Sequence, residues 1–161
     1  MIRLKTSGLL AANLKLGALL GGPMQEDADR RYDYGVNMGL AFQLKDDLLD
    51  VYGNPKVFGK NIGGDILCNK KTYMLIQALE RASDDQRKEL ERWLAADDFV
   101  PAEKIAAVTH LYDEIGIKDL CEQKICEYTR LAEESLLQVG VAEERKHELQ
   151  ALLEGLVHRE S

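Results

Sequence analysis

The sequence predicts an all-α fold. Apolar residues recur with helical rather than alternating spacing, as in Leu9, Leu10, Leu14, Leu16 and Leu19. The periodic runs are separated by strong breakers and caps, among them Gly21-Gly22-Pro23, Gly53-Asn54-Pro55, Gly116 and Gly140. No stretch alternates as a strand would, and no internal repeat is visible. With 161 residues and 45% apolar content, one helical domain over 1–161 is the expectation.

Taken in order, residues 2–20 read as a helix stopped by the Gly-Gly-Pro run, with Lys5 and Thr6 in its first turns. A second helix spans about 26–51. It begins polar and becomes apolar through Val36, Met38, Leu40, Phe42 and Leu44. Gly35 and Gly39, four apart, admit a neighbouring helix at close range, although each costs up to ~1 kcal/mol against alanine. A loop is expected from Tyr52 to about Asn69, followed by a short amphipathic helix over 71–82. Ser83-Asp84-Asp85-Gln86 is a capping-box sequence opening a helix to about Ala96, so Asp84 and Asp85 read as helix-start acids. Pro101 fits the first turn of a helix through Ile115, ended by Gly116. Residues 117–139 form another helix. Leu149, Leu152, Leu153, Leu156 and Val157 mark the apolar face of the last.

A net charge of −7 argues against nucleic acid and against an anionic membrane surface. Cys68, Cys121 and Cys126 do not make a disulfide framework, and the three histidines sit on separate helices without ligand spacing. No run of roughly eighteen apolar residues exists to span a membrane. Leu9–Leu20 is interrupted by Lys15 and glycine and lacks a signal-peptide layout. A cytoplasmic location is the default.

Chemistry concentrates in Phe42-Gln43-Leu44-Lys45-Asp46-Asp47-Leu48-Leu49-Asp50 and in Phe58-Gly59-Lys60-Asn61-Ile62-Gly63-Gly64-Asp65. On a helix Asp46 and Asp50 lie one above the other, with Asp47 about 100° round. Like charges at that spacing cost a few tenths of a kcal/mol. A solvated acidic face is the plain explanation. An apolar setting and nearby cationic groups favour a hard cation instead. Mg2+ suits carboxylates without histidine or cysteine, because it completes its octahedron with water and phosphate oxygens. Glycines let backbone N–H groups approach an anion, Lys60 adds a charge, and Lys70-Lys71-Thr72 opens the next helix. Asp65 reads equally as a helix cap or as a polar contact in the site.

F-Q-x-x-D-D-x-x-D, then G-K-x-x-G-G-D, then N-K-K-T-Y resembles the second aspartate-rich region of the trans-isoprenyl diphosphate synthases, the polyprenyl synthetase family. Lys5-Thr6 resembles that family's upstream K-T motif, and order and spacing match over about residues 2–75. The resemblance implies the C-terminal half of an isoprenoid synthase fold. It also implies a head-to-tail prenyltransferase that condenses isopentenyl diphosphate with an allylic diphosphate through Mg2+. Asp46 would bind Mg2+ directly, with Asp47 and Asp50 holding its waters. Lys5, Lys60 and Lys70 would grip the allylic diphosphate, Gln43 would hydrogen-bond near the substrate, Thr6 would face the developing cation and Phe42 would help wall an apolar pocket.

Relatives run to about twice this length and carry a first aspartate-rich motif upstream of the K-T motif. The 161 residues alone are therefore expected to be inactive or nearly so. A complementing or non-catalytic subunit, or a helical interaction module derived from such a synthase, is the alternative. The apolar faces around Leu9–Leu20 and Val36–Leu49 are expected to be exposed and to favour a homo-oligomer. One such arrangement places two copies of the Asp46 helix face to face.

Overall fold

The computed structural model describes residues 7–22, 25–54 and 62–157. Lys5, Thr6 and Lys60, each expected in the site, lie outside them. The described residues form eight α-helices and one short 3-10 turn, without strands. The helices are α1 (Gly8–Leu20), α2 (Gln25–Tyr52), α3 (Gly64–Leu67), α4 (Tyr73–Arg81), α5 (Asp84–Ala95), α6 (Pro101–Ile115), α7 (Ile117–Leu137) and α8 (His147–Val157), with the 3-10 turn at Glu143–Arg145 before α8.

Two compact units share this chain. One draws on the chain up to Lys45 and again from Gln123, and the other on Asp46–Glu122. In the first unit, α1 lies against α2 where Gly35 and Gly39 have no side chains. A Cβ on Gly35 would stand 2.7 Å from the Ala11 Cα, and one on Gly39 would stand 2.7 Å from the Ser7 Cα. The two glycines thus set the approach of α1. Tyr34, Met38, Ala132, Leu136, Val139 and Leu153 form the core, with Leu10, Leu14, Leu149 and Leu156 packed against it. Tyr34 and Asp27, both buried here, find polar partners. The Tyr34 hydroxyl donates to the Leu149 carbonyl at 2.5 Å, and the buried Asp27 carboxylate accepts the Gly140 N–H at 3.0 Å and pairs with Arg30 at 3.3 Å.

In the second unit α6 is the hub, packing against α3, α4 and α5. Three of these four helices, α4, α5 and α6, start on a device visible in the sequence. Thr72 caps α4 by accepting the Leu75 N–H at 3.2 Å. Ser83 and Gln86 complete the capping box of α5, and Pro101 occupies the first turn of α6. Gly116, at φ 77°, turns the chain from α6 into α7 in the left-handed region that glycine enters at no steric cost.

Two expectations need correction. The stretch to Asn69 is not all loop, because it contains α3. That helix begins after Gly63, whose φ is 83° and whose N–H donates to the Asp50 carbonyl at 2.6 Å. Pairing with the end of α2 offsets the nucleation cost that a four-residue helix cannot meet alone. The apolar residues of Val36–Leu49 are also mostly not exposed: Val36, Met38, Leu44, Leu48 and Leu49 are all buried. Exposure is concentrated on α1, at Leu9, Leu16, Leu19 and Leu20.

Candidate functional site

The last turns of α2 bring Asp46, Asp47 and Asp50 into the second unit. Asp47 is buried, while Asp46 and Asp50 are half-buried. The fixed point of the arrangement is Lys70, in the segment before α4. Its Nζ lies 3.0 Å from Asp47 Oδ1 and 2.6 Å from Asp65 Oδ2. Asp65, in the first turn of α3, also donates its backbone N–H to Asp50 Oδ2 at 2.9 Å. Four residues from two helices and one connecting segment are thus joined in a row, Asp47, Lys70 and Asp65 through their side chains and Asp65 to Asp50 through the Asp65 backbone N–H.

Gly63, in the left-handed region, lets α3 start beside that row. A Cβ on Gly63 would stand 2.7 Å from the Ile105 side chain, and one on Gly64 would stand 3.4 Å from Asp50 Oδ1. The start of α3 therefore presses its backbone between α6 and the acidic end of α2. Asp65 does not cap that helix; Gly63 stands at the N-cap.

Acidic charge is undercompensated here. Burial pushes the Asp47 carboxyl up to about 6; Lys70 pulls against this, and the nearby Asp65 and Asp46 add to the rise. Burial also raises Asp50, opposed by the Asp65 N–H. Burial disfavours charge on Lys70, but hydrogen bonds to Asp65 and Asp47 outweigh it and hold the amine firmly protonated. One lysine thus does not balance the acids around it. Asp47 Oδ2 is buried and makes no hydrogen bond, and an orphaned carboxylate oxygen of this kind is costly unless a cation or donor meets it.

This donor set fits a hard divalent cation in kind: carboxylate oxygens, one of them unpartnered, with no sulfur or imidazole among them. Among the described residues, no three acidic, histidine or cysteine side chains converge on a single point. The geometry therefore suits an ion held by one or two carboxylates together with a ligand's oxygens.

The sequence-predicted residues divide as follows. Asp47, Asp50 and Lys70 are joined through Asp65, with Asp46 on the same turn of α2. Gln43 is half-buried one helical turn earlier, in the part of α2 that belongs to the first unit. Phe42 lines a groove of about 370 Å3 in that unit with Leu9, Leu10, Met38, Leu152 and Leu156. Asp65 was only half legible in the sequence, and its signal was the G-G-D run ahead of a lysine.

Comparison with known proteins places these features in a family. The polyprenyl synthetase family model matches residues 1–115. A short chain isoprenyl diphosphate synthase of Methanothermobacter thermautotrophicus is 36% identical over 136 residues, covering 84% of this chain and 41% of that protein. A geranylfarnesyl diphosphate synthase of Aeropyrum pernix is 32% identical over 160 residues, covering 99% of this chain and 49% of that one. Among solved structures, a geranylgeranyl pyrophosphate synthase superposes with a TM-score of 0.89 at 36% identity, over 99% of this chain and 50% of its own. A geranylgeranyl pyrophosphate synthase from Corynebacterium glutamicum, complexed with isoprenyl diphosphate and magnesium, gives 0.86 at 33% identity, over 98% and 44%. The chain spans about half the length of the curated relatives it matches.

Proposed function

The chain belongs to the polyprenyl synthetase family, and from that premise we propose that it supplies the second aspartate-rich part of a head-to-tail prenyltransferase of isoprenoid biosynthesis. Its substrates are an allylic diphosphate and isopentenyl diphosphate, and its cofactor is Mg2+. The observation that carries this reading is the Asp47–Lys70–Asp65–Asp50 row with an unpartnered buried oxygen on Asp47. That a relative of the same fold holds isoprenyl diphosphate and magnesium supports it.

In this reading Asp46, Asp47 and Asp50 hold the metal, and Lys5, Lys60, Lys70 and Gln43 bind the diphosphate. When bound, Mg2+ supplies charge stabilisation for a departing diphosphate. Lys70 orients the carboxylates beside it and presents a positive charge to diphosphate oxygens. Burial of Asp47 keeps water from competing for its oxygen, which strengthens each electrostatic contact there. The reading assigns Thr6 to the carbon from which diphosphate leaves, where attack by the isopentenyl double bond followed by proton loss would complete condensation. Phe42 walls an apolar surface for the prenyl chain.

F-Q-x-x-D-D-x-x-D is the one aspartate-rich motif of this pattern in the 161 residues. On these residues alone we therefore expect ligand binding without condensation. The surroundings we propose are cytoplasmic, and the described residues contain no helix long and apolar enough to cross a membrane. The test is calorimetry with Mg2+ and inorganic diphosphate on the protein and on Asp46→Ala. Diphosphate binding that requires Mg2+ and is lost in the variant is the predicted result. Equal heats in both proteins would remove the basis of the reading.

A further inference from the structure

Lys104, on α6, is 1% exposed. Its Nζ donates to Asn69 Oδ1 at 2.8 Å and stands 4.2 Å from the centre of the Phe99 ring. These partners are an amide and an aromatic face, not a carboxylate. Burying an amine this way costs more than burying a methionine of similar length, which would fill the same space without a polar group to satisfy. Packing alone therefore does not account for a lysine here.

Its partner has an unusual backbone. Asn69 has φ 50°, the one non-glycine residue in the left-handed region among the described residues. It ends the turn that follows α3: its N–H donates to the Ile66 carbonyl at 3.2 Å, and the next N–H, that of Lys70, donates to the Asp65 carbonyl at 2.9 Å. The Asn69 side chain is held at both ends, accepting from Lys104 and donating through Nδ2 to the Leu94 carbonyl at 3.0 Å. Immediately beyond this pinned residue, Lys70 reaches Asp47 and Asp65. Lys104 and Lys70 also line a common cavity of about 10 Å3 with Asp65, Thr72 and Tyr112, room for about one water.

We infer that Lys104 is a positioning residue for diphosphate binding: it locks Asn69 in its left-handed turn, and that turn seats Lys70 between Asp47 and Asp65. This rests on the reading of Lys70 as a diphosphate ligand. Lys104 itself does not touch the ligand. It acts from α6, through one side-chain hydrogen bond, on a residue 35 positions earlier.

The test measures affinity for inorganic diphosphate at saturating Mg2+, by calorimetry, with thermal melting run in parallel. Four variants are compared with the unmodified protein: Lys104→Met, Lys104→Gln, Asn69→Gly and the double variant Lys104→Met/Asn69→Gly. Lys104→Met keeps the volume and relieves the buried amine, so its melting temperature holds or rises while affinity falls roughly fivefold, the worth of one hydrogen bond. Lys104→Gln keeps an N–H donor and recovers affinity to within about twofold of the unmodified protein. Asn69→Gly keeps the turn but loses the side-chain anchor, and the double variant binds no more weakly than it does.

Lys104→Met binding as tightly as the unmodified protein would overturn the inference. So would fully additive losses in the double variant, because Lys104 would then act by another route. Should Lys104→Met fail to fold, Asn69→Gly alone decides, and unchanged affinity there has the same force. Absence of diphosphate binding in the unmodified protein is a separate result, which would remove the diphosphate reading and this inference with it.

Discussion

The backbone N–H of Asp65 donates to the Asp50 carboxylate at 2.9 Å. This bond ties the acidic end of α2 to the first turn of α3, and the Asp65 side chain then holds Lys70 at 2.6 Å. Residues 15 positions apart are thereby made into one electrostatic unit. Removing the Asp65 carboxylate should release Lys70 on one side and leave its backbone bond to Asp50 in place. Asp65→Asn is expected to weaken Mg2+-dependent diphosphate binding several-fold with a change in stability under about 1 kcal/mol, since Lys70 is substantially exposed and the ion pair is solvent-screened. Calorimetry and urea unfolding on the same sample separate the two effects.

Asp47 makes stability depend on pH. Its carboxyl titrates near 6 in the folded protein against 3.8 for the unperturbed group. The folded state therefore binds this proton more tightly than the unfolded chain. The contribution is fully present below pH 3.8 and is lost as pH rises through about 6. Asp47→Asn, which cannot ionise, should stabilise the metal-free protein by about 2–3 kcal/mol at pH 8 and by little at pH 4. Urea unfolding at the two pH values checks this. A variant equally stable or less stable than the parent at pH 8 would contradict the burial argument.

The close approach of α1 and α2 sets two glycines apart from a third. Gly39→Ala would place a methyl 2.7 Å from the Ser7 Cα, a backbone atom that cannot yield without moving α1. The expected cost is about 1–3 kcal/mol. Gly17, within α1, has open space around it, so Gly17→Ala should be neutral or stabilising by up to ~1 kcal/mol. Thermal melts of the pair, measured together, should move in opposite directions.

Much of this was legible in the sequence, and the misses have a common cause. Helix starts at Ser83 and Pro101 and the stop at Gly116 depend on local chemistry, so their signals are contained within a few residues. Gly35 and Gly39 likewise announced a close helix contact by their spacing, and α1 fills it. The α3 helix was not legible, because four residues become helical only once Asp50 accepts hydrogen bonds from Gly63 and Asp65. The Lys104–Asn69 bond was invisible for the same reason, since nothing near Lys104 in sequence marks its partner. The clustered acids and Lys70 were visible by type, but their order in space was set by tertiary contacts.

The exposed leucines of α1 bear on assembly. Leu9, Leu16 and Leu20 are 66%, 56% and 82% exposed, and apolar side chains grouped this way on one helix favour association. We propose a homo-oligomer through this helix. Sedimentation equilibrium should show self-association that Leu16→Glu and Leu20→Glu weaken at least tenfold, about 1.4 kcal/mol. A parent protein that stays monomeric at high concentration would contradict it.

Paramagnetic broadening checks whether the carboxylates of α2 and Lys70 form one metal–diphosphate site. Mn2+ replaces Mg2+, and the 31P signals of dimethylallyl diphosphate are followed on adding the protein. Strong protein-dependent broadening of both phosphorus signals is expected, abolished in Asp46→Ala and reduced in Lys70→Met. Signals that broaden to the same extent with and without protein would show that metal and diphosphate meet in solution rather than on this chain, and would rule the shared site out.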